Sequence, residues 1–469
     1  MPWVLWISGC SATEMGNRLS GWKRELLRAH RLIAGLFARS EVRGRSLAYL
    51  QGLLSGCERK NGWQMAEWMG EASPYAMQHL LDRASWDADA ARDRVREYVV
   101  EELGSPEAVL IVTETGFVKK GLHSAGVKRQ YSGTAGRIEN SQAGVFLGYA
   151  GDKGAAPVDR ALYVPREWAE DRERCRAAGI PDAVEFQTKP ELARQTIGRA
   201  LDAGAPAGWV AGDEVYGTDS KVRRMLEARQ VSYVLAVACN RHLWWPDFQR
   251  QRVDAIAQSL PKRAWKRLSA GSGSKGERLY DWALVRLSER QGWARTLLVR
   301  RSRTEKLEHA FYLCYAPTAK STLALPVRVA GQRWQIEQCF ETAKGECGLD
   351  HCEVRHWQGW QRHITLHPTD EDLSVGTPAW PCWPTPCWRC CAAEEKKTLP
   401  GGVRPGVPEV RHLLTRLLWH GKHSLQHVLD GSNWRRAHQL RAIFYHCRKR
   451  QSPLPDCFRR LLSARYLQL

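Results

Sequence analysis

The sequence contains no run of eighteen apolar residues, so no membrane-spanning helix is expected. Its first residues, Met1 to Gly16, hold a short apolar piece (Trp3 to Ile7) with no basic residue ahead of it, which is a poor signal peptide. No stretch pairs a basic face with a clean apolar one, which argues against a membrane surface as partner. The 14 cysteines of the 469 residues are scattered through apolar patterns and form no regular frame, so reduced thiols and a cytoplasmic setting are expected. Acids are in deficit. Against 70 Lys and Arg there are 50 Asp and Glu, a formal net charge of +20, and this favours a polyanionic partner, most simply nucleic acid.

What is present reads in order. Residues 17 to 103 carry helical stripes, such as Leu26, Ile33, Leu36 and Phe37, then Leu47, Leu50, Leu53 and Leu54. Arg and Lys are frequent among the first two helices, which fits either solvated faces or DNA contact. Ala108 to Val112 is a short apolar run of the kind that forms a buried strand. A polar, Gly-rich segment, Lys119 to Asn140, follows. Further strands are expected at Ala143 to Tyr149, Arg160 to Val164, Gly208 to Ala211 and Tyr233 to Val237, with helices at Pro190 to Ala203, capped by Thr188, and Ser220 to Arg229. That order is α/β. From about 240 to 325 the pattern changes to strands at Arg278 to Leu287, Ala294 to Arg301 and His309 to Tyr315, a β-rich insertion. Residues 399 to 469 hold 13 Lys and Arg against 3 Asp and Glu, with two plausible helices.

One helix organises the whole. In Gly331 to Lys344, Ile336, Phe340, Ala343 and Cys347 recur on one face, and Arg333, Glu337, Glu341 and Lys344 on another. Taken alone, the second face reads as a solvated stripe with i,i+4 ion pairs. It gains another meaning from acids elsewhere. Asp213 follows the apolar run Trp209 to Gly212 directly, although a turn or cap role would also place an Asp there. An acid in a first strand, one at the end of a later strand and one on a late helix can converge on two divalent cations about 3.5–4 Å apart. Oxygen ligands suit Mg²⁺ or Mn²⁺. In that arrangement Arg333 forks onto a phosphate and Lys344 acts as a point charge beside it.

At this point the chain resembles the bacterial insertion-sequence transposases of the DDE superfamily. The segments that carry the resemblance are Glu114 to Gly121, Arg129 to Asn140, Gly212 to Gly217 and the helix Gly331 to Lys344, within a span of roughly 20–365. The resemblance implies a ribonuclease H-like core interrupted by the β-rich insertion, with a helical, DNA-binding N-terminal domain. It divides the chain into residues 1–104, a core in two parts (105–239 and 326–366) around the insertion (240–325), an aberrant segment (367–398) and a basic tail (399–469). It implies Asp213 and Glu337 as catalytic metal ligands for Mg²⁺ or Mn²⁺. Arg333, Lys344, Lys119, Lys120, Arg129, Tyr131 and Arg137 become contacts to DNA. The partners implied are element ends and target DNA, bridged by a homodimer at the bacterial nucleoid.

Three departures set this chain apart. Thr113 stands where the family pattern places its first catalytic Asp, and a hydroxyl cannot bridge two cations. The neighbouring Glu114 would need a one-residue slip that turns core residues outward. Ala330 stands where some relatives carry Tyr. Finally, Pro378 to Cys391 is crowded with Pro, Trp and Cys. Its Cys387 and Cys390 form a CxxC without a clean second pair, so zinc is not expected. Trp and Cys codons begin with TG, and reading this segment two bases later yields mostly Leu, Val and Ala, a core helix. Translation out of frame between about 367 and 398 is therefore expected. The alternatives are a DNA-binding remnant without catalysis and a different ribonuclease H-type nuclease.

Overall fold

The computed structural model describes residues 23–367, apart from 25, 70, 72, 245–248, 274–275 and 305–306, together with the single positions 415, 447 and 448. The out-of-frame reading and the helices expected in the basic tail therefore lie outside the described residues.

The N-terminal stripes fold as the helices Ser40–Leu54, Gly62–Trp68, Tyr75–Asp82 and Ala88–Leu103. The last begins where Asp87 accepts hydrogen bonds from the N–H groups of Asp89 and Ala90, a side-chain cap. Phe37, Leu50, Leu53, Met77 and Leu80 close the core between these helices. They are joined to a late helix, Trp357–Leu366. There the buried Arg362 donates to the carbonyls of Leu81, Ala84 and Trp86, and Tyr49 Oη lies 2.8 Å from His363 Nδ1. Burial holds the His363 imidazole down to about 4, so it is neutral and can serve this contact without a charge.

The strands, in chain order, are β1 Val109–Val118, β2 Lys128–Ser132, β3 Arg137–Gly151, β4 Gly154–Leu162, β5 Trp209–Gly212, β6 Ser232–Val237, β7 His242–Trp244, β8 Arg250–Arg252, β9 Lys266–Gly273, β10 Gly276–Arg290, β11 Trp293–Arg301 and β12 His309–Pro317. Ten form one sheet in the order β2-β3-β1-β5-β6-β12-β11-β10-β9, with β4 also paired to β3. β3 lies antiparallel to both β1 and β4, whereas β1, β5 and β6 run parallel. The short apolar runs expected at Ala108, Gly208 and Tyr233 thus become the central strands, covered on both faces. Within the insertion, β7 and β8 form a separate antiparallel pair, whereas β9 to β12 extend the large sheet, β12 pairing with β6.

Several stretches differ from the sequence expectation, among them β4, which runs over Gly154–Leu162 where a strand is expected at Arg160 to Val164. The segment 119–140 contains β2 and the start of β3, a two-stranded ribbon whose residues are mostly exposed, so no apolar alternation announced it. β9, whose sequence Lys-Arg-Leu-Ser-Ala-Gly-Ser-Gly is poor in strand formers, is held in the sheet by its pairing with β10.

Helices cover the sheet. Lys189–Asp202 begins with a reciprocal Thr188–Glu191 capping box and packs on one face through Leu192, Ala193 and Ile197. The long helix Ala324–Cys347 lies on the other. It extends beyond the stretch read from sequence and ends at Gly348, whose φ of 67° allows its N–H to reach the carbonyls of Ala343 and Lys344. Its expected stripe of Ile336, Phe340, Ala343 and Cys347 is buried. Two glycines admit it. A Cβ at Gly148 of β3 would lie 2.5 Å from Ile336 Cδ1, and one at Gly331 would lie 2.2 Å from the Ala270 carbonyl oxygen of β9.

Ile336 fills the space that Gly148 leaves, so removing its side chain opens a cavity that neither backbone can close. Ile336→Ala is expected to lower unfolding free energy by about 2–5 kcal/mol, read from the denaturant midpoint. A loss under about 1 kcal/mol would show that the helix does not depend on this contact.

Candidate active site

β1 and β5 pair in parallel with Val112 opposite Gly212, so the next positions are Thr113, midway along β1, and Asp213, just past the end of β5. Ile111 and Ala211, two residues back, point into the core beneath the long helix. By alternation Thr113 faces the same side. Val112 points into the opposite core, and Glu114 follows that side, with its carboxylate 2.6 Å from Lys189 Nζ on the helix Lys189–Asp202. β1 and β3 pair through Thr113 and Glu114 without a shift of register, so Glu114 does not take the place of Thr113. It stays close enough for its charge to act on Asp213.

Asp213 is half-buried and begins the short helix Glu214–Thr218, accepting a 2.9 Å hydrogen bond from the Val215 N–H. Burial raises its pKa, and the negative charge of Glu114 adds to the rise; the Val215 hydrogen bond and the Arg333 guanidinium oppose it.

The polar face of the long helix stands over these strand ends. Arg333, Glu337, Glu341 and Lys344 line a cleft of about 560 Å³ together with Thr113 and Asp213. Arg333 Nη1 lies 2.5 Å from Glu337 Oε1, so the plain i,i+4 ion pair exists within the cleft. Lys344 Nζ donates to Thr115 Oγ1 and to Thr134 Oγ1, each at 2.6 Å. Burial lowers its pKa, with the charge of Asp350 opposing. Among the described residues no carboxylate lies within ion-pairing distance of it, so this half-buried cation is held by neutral hydroxyls alone. Thr115 and Thr134 were not anticipated. Thr115 could have been found, since it is two residues from Thr113 on the same face, but Thr134 reaches Lys344 only through closure of the β2–β3 turn.

The other candidates divide. Tyr131 is exposed and lines the cleft. Lys120 and Arg129 are exposed, and Arg137 is exposed with its guanidinium 2.8 Å from Glu139. Lys119 is placed elsewhere: it is buried, and its ammonium holds the carbonyls of Cys352 and Val354. A larger cavity, about 1070 Å³, opens beside β4, but Arg92, Arg160 and Arg199 in its wall are each paired with Asp89 or Asp159.

The donor set does not fit a pair of cations. Among the described residues no three His, Cys, Asp or Glu side chains converge as a metal-binding group. Of the carboxylates that line the cleft, Glu337 is engaged by Arg333 and Glu114 by Lys189, and beside Asp213 Thr113 adds only a neutral hydroxyl.

A mixed sheet with an acid at the end of a central parallel strand and an acidic, basic-flanked helix above it defines an α/β protein with a charged cleft at that strand end. Residues 32–287, more than half of the chain, match the DDE superfamily endonuclease family, and the chain belongs to it. That match includes Thr113 and Asp213 and ends before the long helix. The chain is also 27% identical over 216 residues to a probable transposase for insertion sequence element IS701 from Microchaete diplosiphon, covering 42% of this chain and 53% of that protein. It thus spans about half the length of that curated relative.

The folded chain holds the Asp213 proton more tightly than the unfolded chain does. Stability is therefore lost as pH rises from the ordinary carboxylate range, about 3.9, through the raised folded value, and the loss persists at neutral pH. Asp213→Asn keeps a capping oxygen. It is expected to raise the thermal midpoint at neutral pH and to leave it unchanged below the ordinary carboxylate pKa. A lower midpoint at neutral pH would contradict the dominance of burial.

Proposed function

We propose that this chain is a DNA transposase of an insertion sequence, built to cut element ends and join them to target DNA, and that catalysis is impaired in this copy. The observation that carries the reading is the register of β1 and β5. It sets Thr113 beside Asp213, where a second carboxylate would face Glu337 across the cleft. The order β4-β3-β1-β5-β6, three antiparallel strands followed by a parallel pair, supports a ribonuclease H-like core in two parts, 105–239 and 326–366, interrupted by 240–325. Residues 1–104 are the helical DNA-binding domain in this reading, 367–398 the out-of-frame segment and 399–469 a basic tail. The formal net charge of +20 supports DNA as the partner, and no described helix is long and apolar enough to cross a membrane. A homodimer bridging two ends is the assembly that such joining requires.

The chemistry is in-line displacement at phosphorus, first by water at the element end, then by the freed 3′-hydroxyl at the target. The Arg333 guanidinium and the Lys344 ammonium offset phosphate charge. Asp213 and Glu337 are the residues that would engage Mg²⁺ or Mn²⁺. Without a third carboxylate they hold it poorly, so no step is assigned to it in this copy. The second reading, a non-catalytic DNA-binding remnant, rests on Thr113.

The purified chain is expected to bind duplex DNA in a strongly salt-dependent manner, and neither to cleave nor to join it with Mg²⁺. Thr113→Asp alone is expected not to restore cleavage, because the helix that should follow Leu366 is read out of frame. Gel assays on the chain's own element ends measure both. Robust strand transfer by the unmodified chain would overturn the impairment, and recovery in Thr113→Asp would show the segment after residue 367 to be harmless.

A further inference from the structure

Even-numbered residues of β3 face the long helix. Gly148 meets Ile336, and the Phe146 ring packs on Phe340 with centroids 4.9 Å apart. The same alternation continues along the strand to Ile138, and there the helix no longer covers it. Ile138 pairs in register with Tyr131 of β2, and both are exposed, 58% and 69% of their surface remaining accessible. Arg129, two residues before Tyr131, shares this face and is exposed. The result is an aromatic ring backed by an aliphatic side chain, open to solvent, at the rim of the cleft that Arg333 and Lys344 line.

This ribbon is positioned firmly. Thr134, in the turn after β2, donates to the Gly116 carbonyl at 3.1 Å and also accepts from Lys344 at 2.6 Å. The tip is thus tied both to β1 and to the long helix, and Tyr131 keeps its place relative to the cationic end of the cleft.

A tyrosine ring cannot neutralise phosphate, but it offers a flat surface to a nucleobase. Within a duplex the base faces are covered by their neighbours on all but the terminal pairs, so an unpaired base presents more of its face to such a ring. Resting on the DNA reading of the cleft, we propose that Tyr131, backed by Ile138, stacks on an unpaired base next to the phosphate held by Arg333 and Lys344. The chain then prefers DNA with a single-stranded extension. Arg129, on the same face, contributes the charge that attracts the flanking backbone. The competing account is that Tyr131 and Ile138 serve only as a cross-strand pair that stabilises the ribbon, and the choice of variants separates the two.

The experiment uses the full chain and two fluorescein-labelled probes, a blunt duplex and the same duplex with a short 3′ extension carrying 2-aminopurine. Anisotropy gives the affinities, and 2-aminopurine emission reports stacking. The unmodified chain is expected to bind the extended probe more tightly and to quench the 2-aminopurine. Tyr131→Phe should retain both. Tyr131→Val keeps a strand-forming, ribbon-compatible residue without a π face, and should weaken the extended probe by about tenfold more than the blunt one. Equal affinity of the unmodified chain for the two probes, or an unchanged Tyr131→Val, with duplex still bound, would overturn the stacking role and leave the DNA reading intact. Failure to bind either probe would overturn both.

Discussion

The contact on which the site depends is the apolar seam between the long helix and the sheet. Ile336 occupies the place where Gly148 has no side chain, and Phe340 meets Phe146 edge to face, with Trp360 behind. With these residues fixed, helix geometry leaves no freedom to the other face: Arg333, Glu337, Glu341 and Lys344 must stand over the ends of β1 and β5. Burial of large side chains thus determines where the charges are. The polar face contributes little to holding the helix in place, since its one ion pair, Arg333–Glu337, lies on partly exposed side chains.

The cleft that results is out of balance. It contains a carboxyl whose ionisation burial opposes, and a lysine held only by threonine hydroxyls. A cation with neutral partners is a ready site for a phosphate, whereas acids already engaged by Arg333 and Lys189 leave a poor site for a pair of cations. Glu114 does not correct this, because strand alternation sends it to Lys189 on the opposite face. On the proposed reading, Thr113 removes a carboxylate that the chemistry needs and leaves the residues proposed to hold DNA in place, and the segment after residue 367 is a second lesion.

Much of this was legible in the residues. Apolar runs marked the central strands because a parallel strand is buried on both faces, and the Ile336–Phe340–Ala343 period marked the helix because one face is buried. Asp213 and Glu337 could be singled out because each follows or interrupts such a pattern. The ribbon of β2 and β3 was not legible, since an exposed ribbon needs no apolar alternation, and β9 is recruited by its neighbour against its own propensity. Lys119 looked like a surface cation by composition. Its burial against the carbonyls of Cys352 and Val354 depends on a segment over two hundred residues away, which local pattern does not report. The pairing of Lys344 with Thr134 is hidden for the same reason.

The proposal that Thr113 deprives the cleft of a metal pair is tested most directly by counting the divalent ions that the cleft holds. Manganese(II) can be titrated into the full chain and into its Thr113→Asp variant, with electron paramagnetic resonance reading free and spin-coupled ion. The account predicts no spin-coupled pair in the unmodified chain, and tighter, Asp213-dependent binding in Thr113→Asp. A tightly held, coupled pair in the unmodified chain that is lost in Asp213→Asn would contradict it.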